Sequence, residues 1–434
     1  MATKLWTLHF MRICLANLLL FISLYLLYPV LPVMMASRLG VPVSQTGVIF
    51  IFFTLAMFFI GPFHAYLVDV YKRKYICMLS FGVMVAATAG YTLVQNATHL
   101  LMLCIVQGVS FGMAATAGIT LAIDITNSTF RSAGNVVFSW AARLGMIIGA
   151  ALGVYLFRTH GFETLLYVAV ALGALGILSV SRVYVPFRAP IGMKVCSMDR
   201  FLLPRGLIPA FNLILIAFIP GLMLPVLTGA PSDVEVGGET VPFFALVGCG
   251  FLLSVLIVKL FFHYDNKMWL QIVIGLVTVI GSMAMLFSPE TSWNAPAAVL
   301  MGLGLGLVTP EFLMMFVKLS QHCQRGTANT THLLAWELGV GLGIASACHL
   351  HLTANEQAVY RCRLLLLSVQ ISVCHLLISF LMQLEIQHPN LHILLQFRFF
   401  QPYLCLNIYF QSPGFPLIPS LRKEFLLHFS ALHW

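Results

Sequence analysis

The chain has 434 residues, of which 60 % are hydrophobic and 9 % charged, with a mean hydropathy of +0.95. So little charge cannot cover a water-soluble protein of this length, which excludes a soluble globular domain and makes the bilayer the solvent. The formal net charge of +9 reflects where Lys and Arg sit along the chain and indicates no nucleic-acid partner.

The ten cysteines lie mostly in apolar runs, form no CxxC pair and read as small buried hydrophobes. Cys348, His349 and His351 cluster at one predicted helix end, but a zinc site needs more than a local cluster, so no metal and no other cofactor is expected.

In chain order, Lys4 and Arg12 precede an apolar run from Ile13 to Met35. It is too long for a signal sequence, and no small-residue cleavage site closes it, so it reads as an uncleaved first span. Runs long enough for a ~30 Å hydrocarbon core then follow one another. They cover 11–36, 44–68, 75–95, 99–123, 134–157 and 162–183, then 206–229, 241–262, 269–288, 295–318, 328–350 and 360–384. The expectation is an all-α polytopic membrane protein of twelve transmembrane helices. A six-helix bundle over 1–183 is joined by a basic linker, 184–205, to a second bundle over 206–384. Residues 385–434 form an atypical tail rich in Phe, Leu and His, read as interfacial or disordered.

Lys and Arg stay on the cytoplasmic side of a membrane. With the N-terminus inside, the exceptions among the 23 are Arg38, Arg158, Arg361 and Arg363, which fall outside, and Arg143 within a span. The outer loops hold Asp233, Glu235, Glu239, Glu290 and Glu356. A multi-pass protein of the cell membrane with both termini in the cytoplasm is expected.

The halves repeat. Arg131-Ser-Ala-Gly-Asn135 and Arg325-Gly-Thr-Ala-Asn329 open predicted helices 5 and 11. The same offset of 194 pairs Gly145 with Gly339, Gly149 with Gly343, Gly108 with Gly302 and Gly112 with Gly306. Near offset 196, Asp69 meets Asp265. Two halves in one orientation are the parallel-repeat architecture of some secondary transporters.

The loop after predicted helix 2 reads Gly61-Pro-Phe-His-Ala65-Tyr-Leu-Val-Asp69-Val-Tyr-Lys72-Arg73-Lys74. It resembles the signature loop of the major facilitator superfamily, Gly-x-x-x-Asp-Arg-x-Gly-Arg-Lys. Asp69, Arg73 and Lys74 match, while Ala65, Val70 and Lys72 depart from it. Cys104-x-x-Gln107-Gly108 is similar to the family's Arg-x-x-Gln-Gly without its Arg. Gly145-x-x-x-Gly149-Ala150-x-x-Gly153 resembles the bacterial efflux-type Gly-x-x-x-Gly-Pro-x-x-Gly with Ala for Pro. Asp124 and Arg131 fall where the family places a charged pair. The resemblance implies alternating access, with Asp69, Arg73, Lys74, Asp124, Arg131 and Asp265 as a conformational latch; ordinary solvated loop charge is the alternative. Gly145, Gly149, Gly153, Gly339 and Gly343 clear one helical stripe for close packing.

Charges deep in spans are costly unless they face a cavity or a partner. Arg143, Glu311 and Glu337 are the three. Arg143 stands eight residues from Asn135 and Glu337 eight from Asn329, ~12 Å of helix each. Substrate or proton handling is one reading and neutralised structural charge the other. In predicted helix 1, Asn17, Phe21, Leu24 and Tyr28 share a stripe that suits a cavity wall, with Gln107 and Asn212 as weaker candidates. The family's cavity helices 1, 4, 7 and 10 support Asn17, Tyr28 and Glu311. No phosphate-binding loop and no hydrolase or metalloprotease motif is present, so an enzyme is not expected.

These readings converge on a monomeric secondary transporter of a small organic solute, coupled to protons and running as an export antiporter. Proton-linked uptake of a sugar or organic acid is the runner-up, and a non-transporting sensor or polytopic membrane enzyme the rival class.

Overall fold

The computed structural model describes residues 5–185, 195–196, 201–229, 233–236, 239–261, 268–286, 293–321 and 324–350. Each predicted stretch up to 328–350 falls on helix. The predicted helix at 360–384, the tail, Asp265, His351 and most of the basic linker lie outside the described residues.

The helices are α1 (Leu8–Tyr25), α2 (Leu31–Leu39), α3 (Val43–Thr46), α4 (Val48–Val70), α5 (Arg73–Gly90), α6 (Ala97–Ile125) and α7 (Arg131–Ser181). After them come α8 (Leu207–Gly229), α9 (Phe243–Phe261), α10 (Met268–Leu286), α11 (Asn294–Leu319) and α12 (Arg325–His349). Eight helices among the described residues are long and apolar enough to cross a membrane, and Leu270–Leu286 is a shorter apolar one. Phe59, Leu79, Tyr167, Leu260 and Val277 point outward, each more than 60 % exposed, as a hydrocarbon surround allows.

Local chemistry sets the ends. Thr7 caps α1 by accepting from the Phe10 amide, and Asn96 caps α6 by accepting from that of His99. The predicted span 11–36 is not one helix: α1 stops at Tyr25, and turns carry the chain to α2. Pro29 and Pro32 straddle the restart, and neither has an amide to donate to a preceding turn. Predicted helices 5 and 6 meet inside α7 at Gly161, whose φ of 82° is open to glycine and strained for other residues. The all-α expectation also missed a two-stranded antiparallel ladder between α8 and α9. β1 (Asp233–Val236) pairs with β2 (Glu239–Pro242), Val234 opposite Val241. Valines and a threonine around the Gly237-Gly238 dipeptide carry strand propensity into an otherwise helical chain.

The helices pack in two sets. α1 lies along α7, α4 along α6, and α5 on both α6 and α7. Likewise α8 lies along α12, and α11 packs on α9 and α10. A Cβ added at Gly145 would sit 2.6 Å from the Leu18 carbonyl, and one at Gly149 2.9 Å from that of Ile22. Gly339 and Gly343 meet the carbonyls of Ile214 and Phe218 in the same way. Gly108 meets Phe53 and Gly302 meets Val247. The offset of 194 seen in the sequence thus recurs as matched contacts, with α8 displaced from α1 by 196. Between the sets, α4 packs on α12, where Gly341 approaches Thr54 and Phe50.

Candidate functional site

The repeat places Arg143 of α7 and Glu337 of α12 at equivalent positions, and both are buried, at 2 % and 1 % exposed. The glycine stripe of each helix faces α1 or α8, so the residue on the opposite face looks toward the other set of helices. Arg143 lays its guanidinium over the Trp336 ring, 3.7 Å from the centroid. A cation against an aromatic face is attracted to it, more so when both are desolvated. Tyr25 donates its hydroxyl to the Glu337 carboxylate, 3.1 and 3.0 Å from the two oxygens. The Tyr28 hydroxyl also faces that carboxylate, and the two tyrosine rings lie 4.3 Å apart. No ion pair joins Arg143 to Glu337 among the described residues. Arg143 keeps Nε and Nη1 buried without a hydrogen-bond partner.

This polar layer separates two small cavities. Where α7 and α12 begin, Arg143 borders a cavity of about 30 Å³ together with Asn17, Asn135, Ser139, Asn329 and His332. That is room for roughly two or three waters. Asn17 donates to the Phe138 carbonyl at 2.9 Å. His332 and Asn329 are each 4 % exposed, and His332 Nε2 and Asn329 Oδ1 have no partner. One turn beyond the layer lies an apolar cavity of similar size, bounded by Met146, Ile147, Met223, Phe243, Leu305 and Val340. A polar chamber, a charged layer and an apolar chamber thus follow one another along α7 and α12.

The structure brings Arg143, Glu337, Asn17 and Tyr28 together and leaves Glu311 apart. Glu311 is half-buried on α11 and borders neither of these cavities. Leu313 borders the polar one, and two residues along a helix turn the side chain by ~200°. Gln107 is used up in packing: it accepts from Tyr91 at 2.6 Å and donates to Thr88 at 2.9 Å. Asn212 is buried in α8, its Oδ1 unpartnered, away from both cavities. Sequence reasoning missed Tyr25, His332 and Trp336. Their signal was helical spacing: Tyr25 is four residues from Phe21, and His332 four from Trp336.

At the far end of the first set, Arg73 bonds two carboxylates at once. Nη2 reaches Asp69 at 2.6 Å, and Nη1 lies 2.8 and 2.6 Å from the two Asp124 oxygens. Asp69 ends α4, Arg73 opens α5 and Asp124 ends α6, so these bonds tie three helices of the same half. Lys74 donates to the Val183 carbonyl at 2.9 Å. Arg131 has its Nε buried without a partner. Of the residues expected in the latch, Asp69, Arg73 and Asp124 thus meet in one cluster.

The sequence pattern of the Major Facilitator Superfamily matches residues 13–344. No curated protein matches the chain. Among solved structures, the human organic anion transporter MFSD10 (TETRAN) is 17 % identical, with a TM-score of 0.62 over 85 % of this chain and 99 % of its own. A bacterial homolog of the human lysosomal transporter Spinster, inward-facing and unoccupied, is 16 % identical, with a TM-score of 0.54 over 78 % and 80 %. At such identities the likeness shows the fold.

Proposed function

The chain belongs to the Major Facilitator Superfamily, and on that premise we propose a proton-coupled secondary transporter that moves a small organic solute by alternating access. One observation carries the reading. Opposite charges at repeat-equivalent positions, Arg143 and Glu337, are buried in one layer between the two sets of helices with no ion pair joining them. A carboxylate held this deep by tyrosine hydroxyls is costly, and taking up a proton removes that cost. Rocking of one set on the other would expose it to either side in turn.

Export rests on the glycines of predicted helix 5. Packing against α1 accounts for them, and Gly339 and Gly343 do the same against α8. They therefore lend export no support of their own. Proton-linked uptake of an organic acid is the second reading, favoured by the unpartnered donors of Arg143.

A growth screen of an overexpressing strain against toxic compounds and carbon sources would identify a solute. Purified protein in proteoliposomes under an imposed pH gradient should then accumulate or extrude it. Glu337→Gln should lose gradient-driven transport and keep solute exchange. Undiminished pH-driven transport by that variant sinks the coupling role, and absence of flux with any solute leaves a sensor or an enzyme.

A further inference from the structure

We propose that the polar cavity beside Arg143 binds the carboxylate head of an organic anion, and that each anion enters with one proton taken up by Glu337. The proposal rests on the transport reading for its purpose and on the cavity for its chemistry.

Three buried side chains around that cavity have polar atoms with nothing to bond: Arg143 Nε and Nη1, His332 Nε2 and Asn329 Oδ1. An unmade hydrogen bond at a buried donor costs about 1–3 kcal/mol, and more at a charged one. Such groups persist where something else satisfies them at another stage of the cycle. Nε and Nη1 donate from different edges of the guanidinium, so each offers a carboxylate a charge-assisted hydrogen bond, which a neutral amide accepts more weakly and an ammonium cannot accept. His332 Nε2 is a donor in one tautomer and in the imidazolium form. Asn17 already spends its amide nitrogen on the Phe138 carbonyl.

Charge then decides the stoichiometry. Arg143 and Glu337 sum to zero in the empty layer. An added anion would leave one net negative charge in a low-dielectric interior, which is strongly unfavourable. One proton on the Glu337 carboxylate restores neutrality. The groups facing Glu337 are Tyr25, Tyr28 and Arg143, with the Thr54 hydroxyl of α4 near its backbone carbonyl. His332 lies by Arg143. Glu337 and His332 are the proton acceptors of this set, because the guanidinium is already protonated and phenols do not accept. A proton on His332 would set a second cation beside Arg143, so the proton goes to Glu337. The proton comes from water, and no bond other than that O–H is made.

The test uses the full chain in lipid nanodiscs with radiolabelled benzoate by equilibrium dialysis, in weak buffer with a pH indicator. Acetate should compete, whereas benzamide and acetamide, neutral isosteres, should be at least ~30-fold weaker, as loss of a charged hydrogen-bonded pair costs. About one proton should disappear from solution per benzoate bound. Glu337→Gln should bind benzoate without proton uptake, and Arg143→Gln should lose at least ~30-fold in affinity. If Arg143→Gln does not fold, the benzoate and benzamide comparison in the unaltered chain decides alone. Equal competition by benzamide, or no benzoate or acetate binding, overturns the anion site. Proton uptake that persists in Glu337→Gln overturns the coupled proton. Saturable benzoate binding without flux of any solute sinks the transport reading and leaves the anion site standing; flux of a neutral solute without benzoate binding does the reverse.

Discussion

The seam between α1 and α7 can be tested one methyl at a time. A Cβ at Gly145 would stand 2.6 Å from the Leu18 carbonyl oxygen and 2.9 Å from Phe21 Cβ. Ordinary contact begins near ~3.5 Å, so α1 would have to retreat by the better part of an ångström. Such a gap forfeits a quarter to a half of the dispersion attraction at the neighbouring contacts. With the strain of overpacking, Gly145→Ala should cost about 1–3 kcal/mol. Gly339→Ala should cost the same, because its Cβ meets the Ile214 carbonyl and Ala217 Cβ in the second half. Gly82 of α5 and Gly281 of α10 have nothing within 4 Å of a built Cβ. Alanine there should be neutral or should stabilise by up to ~1 kcal/mol through helix propensity. Thermal unfolding of the four purified variants, followed by tryptophan fluorescence in one detergent, gives the comparison. Lower midpoints for Gly145→Ala and Gly339→Ala, beside unchanged or higher ones for the other two, are expected. Four indistinguishable midpoints would refute the close-packed seam and the matched repeat with it.

Replacing Arg73 with Gln removes the cation shared by Asp69 and Asp124 and leaves two carboxylates facing each other across the ends of α4 and α6. With the side chains only 11–18 % exposed, the variant should lose about 1–3 kcal/mol, less than for a fully buried pair. Asp124→Asn should partly restore its melting midpoint, and no restoration would show that the carboxylates do not repel. Reporter fusions after Lys74 should read cytoplasmic and fusions after Asn96 or Val236 the opposite side. A cytoplasmic signal at Val236 would require an even number of spans before it and break the two-halves reading.

The helices were legible because hydrocarbon demands long uninterrupted apolar runs, and the repeat was legible because close approach of two backbones admits glycine. What stayed hidden follows from the same physics. A proline pair inside an apolar run looks the same whether it kinks a helix or splits it, so the break between α1 and α2 left no trace in hydropathy. Arg143 and Glu337 announced themselves by the cost of burying charge, whereas His332, Trp336 and Tyr25 are unremarked in a membrane helix until a neighbour gives them a task. Glu311 shows the limit of reasoning by depth. Its distance from Lys318 puts it well inside α11, but only the neighbour Leu313 tells which face looks into the polar cavity. α12 carries the most instructive sequence of all. Thr327, Asn329, Thr330, Thr331, His332 and Glu337 make it too polar to stand among the helices apolar enough to cross, yet every one of them is buried. A helix that trades apolar side chains for polar ones while shielded by its neighbours has no lipid to satisfy, so its polarity is free to serve what passes through the protein.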